Sequence, residues 1–161
     1  MRRPLRIAAQ LVVPAFLLFA GSAATLAQST PFPGTVSVRM PHGFDASLAR
    51  LEKAIESNKM GLVAQASASR GAAARGVKIP GNAVLMVFRN DLAVRMLAAS
   101  VPAGIEAPLR IYLTENADGT ATVTYRKPSA VFAPYRSAEL DRMARELDPV
   151  LEKIVKDAIG R

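Results

Sequence analysis

No cysteine occurs in the 161 residues, and histidine occurs once, at position 42. The first absence excludes disulfides, thiol nucleophiles, thiolate metal ligands and iron–sulfur clusters. Stability must therefore come from packing, which a chain that is 50% hydrophobic allows. One histidine and no GxSxG elbow leave nucleophilic catalysis unsupported. His42, in "MPHGFD", has no second imidazole to share a metal with and is expected in a surface turn. Walker loops and dinucleotide fingerprints are also missing. Several carboxylates stand at i,i+4 from a base on polar helix faces, as in Asp141 with Arg145 and Glu152 with Lys156. That spacing makes solvated surface pairs rather than paired catalytic acids. The chain is expected to have no catalytic residue, no metal site and no cofactor.

What is present begins with a leader. Arg2, Arg3 and Arg6 precede the apolar run Leu11–Ala20, and small residues follow to Ala27. That order reads as a secretory signal peptide over residues 1–27, cleaved after Ala27 or alternatively after Ala24. Pro14 and the short apolar core argue against a retained anchor, because a permanent span needs about 20 apolar residues. Two prolines in "QSTPFPG" make 28–34 an extended leader. Residues 35–161 then form one domain. The expected location is extracytoplasmic, periplasmic where the host has an outer membrane, with no stable membrane span after processing.

The net charge is +8, and falls to +5 without the three leader arginines. The basic residues are scattered, with no run longer than Arg126-Lys127. This reads as a mildly basic solvated surface and not as a nucleic-acid footprint. Weak attraction to anionic membranes is the remaining reading of the charge.

Alternation places a half-buried strand over 35–40, with Val36, Val38 and Met40 inward. Phe44, Leu48, Leu51 and Ile55 then recur at helical spacing, giving a helix over about 46–59 with Asp45 as N-cap. A weaker strand follows at 62–69, then one or two helical turns before Gly76 and a turn at 79–82. The apolar run 83–88 reads as a central strand covered on both faces. Ala93, Met96, Leu97 and Val101 share one face of the next helix, and Asp91 and Arg95 form an i,i+4 pair on another. Leu109–Thr114 and Ala121–Arg126 alternate around Asp118-Gly119 as a hairpin, with Leu109, Ile111, Leu113 and Ala121, Val123, Tyr125 inward. Leu140, Met143, Leu147, Val150, Leu151, Ile154 and Ala158 stripe a long C-terminal helix, which Pro149 is expected to kink, divide or restart. The fold class is α+β, a largely antiparallel sheet with helices on one face.

These segments resemble a known family, catalogued as domain of unknown function 302. The resemblance runs from about Thr35 to Asp157. It rests on "LARLEKAIESNKMG", "VFRND", "PAGIEAPLRIYLTE" and "VTYRKP". Many members carry Gly-Asn-Pro where this chain has Arg89-Asn90-Asp91, so only the asparagine matches. The Tyr-x-x-Pro after the hairpin is present as Tyr125 and Pro128. The resemblance implies a curved antiparallel sheet under a long helix, the architecture of the TATA-binding protein, and makes a homodimer plausible. It implies no DNA binding, because function resides in sites and not in folds.

Three residues stand out as candidate ligand contacts: Arg89, Asn90 and Tyr125. Asn90 is expected first as an N-cap of the helix it precedes. The competing reading is an anion at that helix start beside Arg89, opposed by Asp91 in the first turn. Tyr125, grouped with Tyr112, Phe132 and Tyr135, packs as core or lines a small apolar pocket between sheet and helix. The expected function is an exported, non-enzymatic module. Its expected partners are a small apolar ligand, an envelope protein or a second copy, with no nucleic acid. The alternatives are an enzyme with an unrecognised carboxylate, tyrosine or arginine site, and a peripheral membrane-surface protein.

Overall fold

The computed structural model describes residues 31–160, so the signal peptide expected over 1–27 lies outside the described residues. Val36, Val38 and Met40 face inward from the first strand, β1 (Thr35–Gly43). The strand runs past the expected end at Met40, through a register shift between Met40 and Gly43. His42 is therefore a half-buried strand residue and not a surface-turn residue. Its Nε2 is buried without a hydrogen-bond partner, and its carbonyl accepts a bond from the buried Ser47 Oγ at 3.1 Å.

Helix α1 (Phe44–Ser57) buries Leu48, Leu51 and Ile55 as its spacing predicts, with Ala54 buried beside them and Phe44 half-buried. It starts earlier than expected, with Gly43 at the N-cap and Asp45 inside the first turn. The ring of Phe44 lies on Gly81, where a Cβ would stand 2.7 Å from it, and this contact draws the helix start back. Strand β2 (Gly61–Ala66) carries a bulge between Leu62 and Ala64, which breaks the simple alternation read in its sequence. It stops three residues short of the expected end because Ser67 caps α2 (Ala68–Ala73), its Oγ accepting the Arg70 N–H at 3.2 Å.

Strand β3 (Asn82–Phe88) buries Ala83, Leu85 and Val87, while Val84, Met86 and Phe88 are half-buried. It is an interior strand of the sheet, paired along both edges, but it is not covered on both faces. β4 (Leu109–Glu115) and β5 (Thr120–Arg126) make the predicted hairpin, closed by Gly119 at φ +80°. The strand order is β1-β5-β4-β3-β2 with every pairing antiparallel, so β4 holds the centre. The inward faces of β1, β3, β4 and β5 share one core with α1, α3 (Asn90–Ala99), α4 (Pro128–Phe132) and α5 (Ala138–Ile159). The outward residues Arg39, Arg110, Tyr112, Thr122, Thr124 and Arg126 form a polar second face.

α3 buries Leu92 and Met96, so of the face expected of it Met96 is buried and Ala93 half-buried, while the rest is not. Leu97 and Val101 stay 45% and 73% exposed, because the chain turns into a 3-10 helix over Val101–Glu106. Arg95 reaches Glu146 of α5 at 2.8 and 3.1 Å and Glu139 at 3.2 Å, in place of the expected Asp91. Glu152 and Lys156 pair as expected at 2.7 Å, whereas Arg142 pairs with Glu139.

α5 is one unbroken helix of 22 residues despite Pro149. Leu147, Leu151 and Ile154 are buried on both sides of the proline, while Pro149 itself faces solvent. Water can then take up the carbonyl that the missing N–H leaves free. Asp148 does not restart the helix. Its carboxylate accepts the N–H and hydroxyl of Ser129 at 2.9 and 2.6 Å, tying the first turn of α4 to α5.

Candidate functional site

The structure does not bring Arg89, Asn90 and Tyr125 into one site. Arg89 is the N-cap of α3, and its Nε donates to Asp91 Oδ1 at 2.8 Å. That bond holds the Asp91 carboxyl below its ordinary value of 3.8. Asn90 is the first helical residue, exposed, and no side chain caps this helix, so the expected asparagine cap is replaced by arginine at that position. The cation and the helix start already share a built-in carboxylate, which removes the attraction for an external anion.

Arg89 also borders a gap of about 30 Å³ among Met60, Met96, Phe132, Met143 and Leu147. Its wall is almost wholly apolar and its volume holds one water at most, so it is a packing gap and not a ligand pocket. Phe132 is core. Tyr135 turns away and donates its hydroxyl to Glu106 Oε1 at 3.0 Å, while Tyr112 points outward from β4. The four aromatic residues grouped in the sequence therefore do not converge.

Tyr125 does line a groove between sheet and helix. Its floor is Val36 and Val38 of β1, Tyr125 of β5, and Val155 and Ile159 of α5, and its volume is about 410 Å³. Lys127, Asp148, Glu152 and Lys156 form the rim. Tyr125 is 5% exposed, and no hydrogen bond from its hydroxyl is found among the described residues. Burial raises its pKa above the ordinary 10.0, and the carboxylates of Glu152 and Asp148 push it the same way. The neutral phenol is thus favoured by the fold. Its stabilising effect is present below pH 10.0 and is lost as pH rises through the higher folded value. In a spectrophotometric titration, the phenolate step missing from Tyr125→Phe should lie above pH 10.0, and Glu152→Gln should lower it. An unmoved step in Glu152→Gln would show that this carboxylate does not face the phenol.

The residues that complete this groove were readable only in part. Val36 and Val38 belong to the inward face of the first strand, so something had to cover them. Their cover is the far end of α5, and that follows from β1 pairing with β5 at the sheet edge, which no local pattern announces. Among the described residues no group of three or more His, Asp or Glu stands close enough to hold a metal ion. No described helix is long and apolar enough to cross a membrane.

The sequence family described as "Domain of unknown function DUF302" matches residues 36–158. The crystal structure of an uncharacterized conserved DUF302 protein from Bacillus stearothermophilus is similar, with a TM-score of 0.70 at 18% sequence identity. The likeness covers 78% of this chain and 98% of that one, and at this identity it carries the fold alone. No curated protein matches the sequence. The five-stranded antiparallel sheet under a long C-terminal helix and the match over 36–158 agree, and the chain belongs to the DUF302 family.

Proposed function

We propose that the protein is an exported, non-enzymatic binding module that holds a small apolar molecule with one polar end in the groove between β1 and α5. The observation that carries this reading is Tyr125. A nearly buried phenol without a hydrogen bond among the described residues sits on an aliphatic floor, under a groove of about 410 Å³. The hydroxyl lines the groove and is not among the buried, unpartnered polar atoms, so a guest can accept from it in place of water. The volume falls in the range of small-molecule sites, and an apolar floor with a few placed polar groups is their usual composition. Support for export is the basic, apolar, small-residue order of the first 27 residues.

The test is a titration with the neutral dye N-phenyl-1-naphthylamine, beside native mass spectrometry of protein recovered from an exporting host. The dye should saturate one site, and Val38→Asp should weaken it at least tenfold while leaving circular dichroism unchanged. A titration that Val38→Asp leaves untouched sinks the groove reading. The recovered mass should lack residues 1–27, or 1–24 if the alternative site is used, and a full-length mass would sink the reading of a cleaved export signal.

A further inference from the structure

A second cavity, of about 260 Å³, opens where β4 begins and β5 ends. Phe32, Glu106, Arg110, Tyr112, Thr124 and Arg126 line most of it. Ile111 pairs with Tyr125, so the antiparallel register sets Arg110 directly opposite Arg126 on adjacent strands. Like charges at opposed positions of a sheet repel. Their outer neighbours give no relief, because Arg110 pairs next with Met86 and Arg126 with Thr35. Neither arginine takes part in an ion pair among the described residues.

Arg126 shows a further deficit. Its Nε is buried without a hydrogen-bond partner, although its guanidinium lies 5.8 Å from the centre of the Phe32 ring. A ring face attracts the cation but leaves the in-plane N–H donors unused. The one acid in the wall, Glu106, accepts the Tyr135 hydroxyl at 3.0 Å. Two cations, one engaged carboxylate and two aromatic side chains make a wall with a positive excess and flat apolar surfaces.

We propose that this cavity binds a small oxyanion with a flat apolar body. The oxyanion bridges the guanidinium groups of Arg110 and Arg126, and the body lies against Phe32 and Tyr112. A bridging anion removes the cross-strand repulsion by pairing with both guanidinium groups, in the planar two-point geometry that guanidinium favours. Tyr125 borders both cavities, but this site does not use the Val36, Val38, Val155 and Ile159 floor of the other groove.

Isothermal titration calorimetry of the full chain with benzoate, phenyl phosphate and benzamide tests this. Benzoate or phenyl phosphate should saturate one site, and whichever is tighter identifies the head group as carboxylate or phosphate. Neutral benzamide should bind at least tenfold more weakly. Arg126→Gln and Arg110→Gln should each cost at least tenfold, and Arg126→Lys should recover only part of the loss. Val38→Asp should leave the affinity unchanged, which separates this site from the groove. Both arginines lie on the outer face, and their variants are checked by thermal melting, where wild type alone should gain melting temperature with benzoate. The proposal is overturned if neither anion saturates, if benzamide binds equally well, or if the double variant Arg110→Gln/Arg126→Gln keeps the affinity.

Discussion

Replacing Phe132 by alanine should lower the unfolding free energy by about 3–5 kcal/mol, the range for truncating a buried phenylalanine. The side chain is 2% exposed, at the end of α4 where that helix meets α5 and the core. Its ring already borders the gap of about 30 Å³, so truncation enlarges an existing void instead of opening a new one. Two effects then compete. Cavity cost grows with the volume left empty. Against that, Met60, Met96 and Met143 share the wall, and methionine adapts to irregular space. The loss should therefore fall near the lower end, about 3 kcal/mol. Phe132→Met, closer in volume, should cost under about 1.5 kcal/mol. Urea unfolding reads both, with the transition midpoint moving and the slope constant. A loss below about 1 kcal/mol for the alanine variant would remove Phe132 from the cooperative core.

Gly34→Ala should cost about 2–5 kcal/mol, from two sources that a double-mutant cycle separates. Gly34 has φ +75°, where an L side chain is strained by about 1–2 kcal/mol. A Cβ built on it also meets the Cβ of Ala130 in α4, well inside van der Waals contact. Overlap of this kind typically costs about 1–3 kcal/mol. The Gly34 carbonyl accepts the Lys127 N–H at 2.9 Å, so the backbone cannot retreat without giving up that bond. Ala130→Gly opens room and should rescue the overlap but not the dihedral strain. The double variant should thus recover about half of the loss, after the roughly 1 kcal/mol that glycine itself costs in a helix is counted. A neutral Gly34→Ala would show that the turn before β1 is not held against α4.

The parts of this fold that were legible in the sequence are those set by local periodicity. The hairpin follows from alternation about Asp118-Gly119, and it fixes Arg110 against Arg126 by counting outward from the turn. The two arginines could have been paired on that basis, but nothing local marks a cross-strand cation pair as a site. The α5 stripe was equally plain, and tertiary packing overrode Pro149 because the proline faces solvent. Misreadings occurred where a distant contact decides. Phe44 on Gly81 moved the start of α1, and the 3-10 turn after α3 left Leu97 and Val101 uncovered. Uniform apolarity in β3 was read as two-sided burial, whereas its outward residues are half-buried on a sheet with helices on its other face. Of the candidate residues, Tyr125 reached a groove, while Arg89 was neutralised by its own neighbour two positions on.

The strand order has a consequence in time. β1 lies at the sheet edge, and its partner is β5, with Thr35 opposite Arg126. The earliest strand to be synthesised therefore waits for the latest one before its backbone is paired. Closing so long a loop costs chain entropy that grows only logarithmically with length, but it must be met before the contacts reward it. The hairpin β4–β5 can form locally and offer β5 as a template, after which β1 docks and brings Val36 and Val38 under α5. The groove is thus assembled from segments far apart in the chain, and it cannot exist before Val36, Val38, Val155 and Ile159 are all in place.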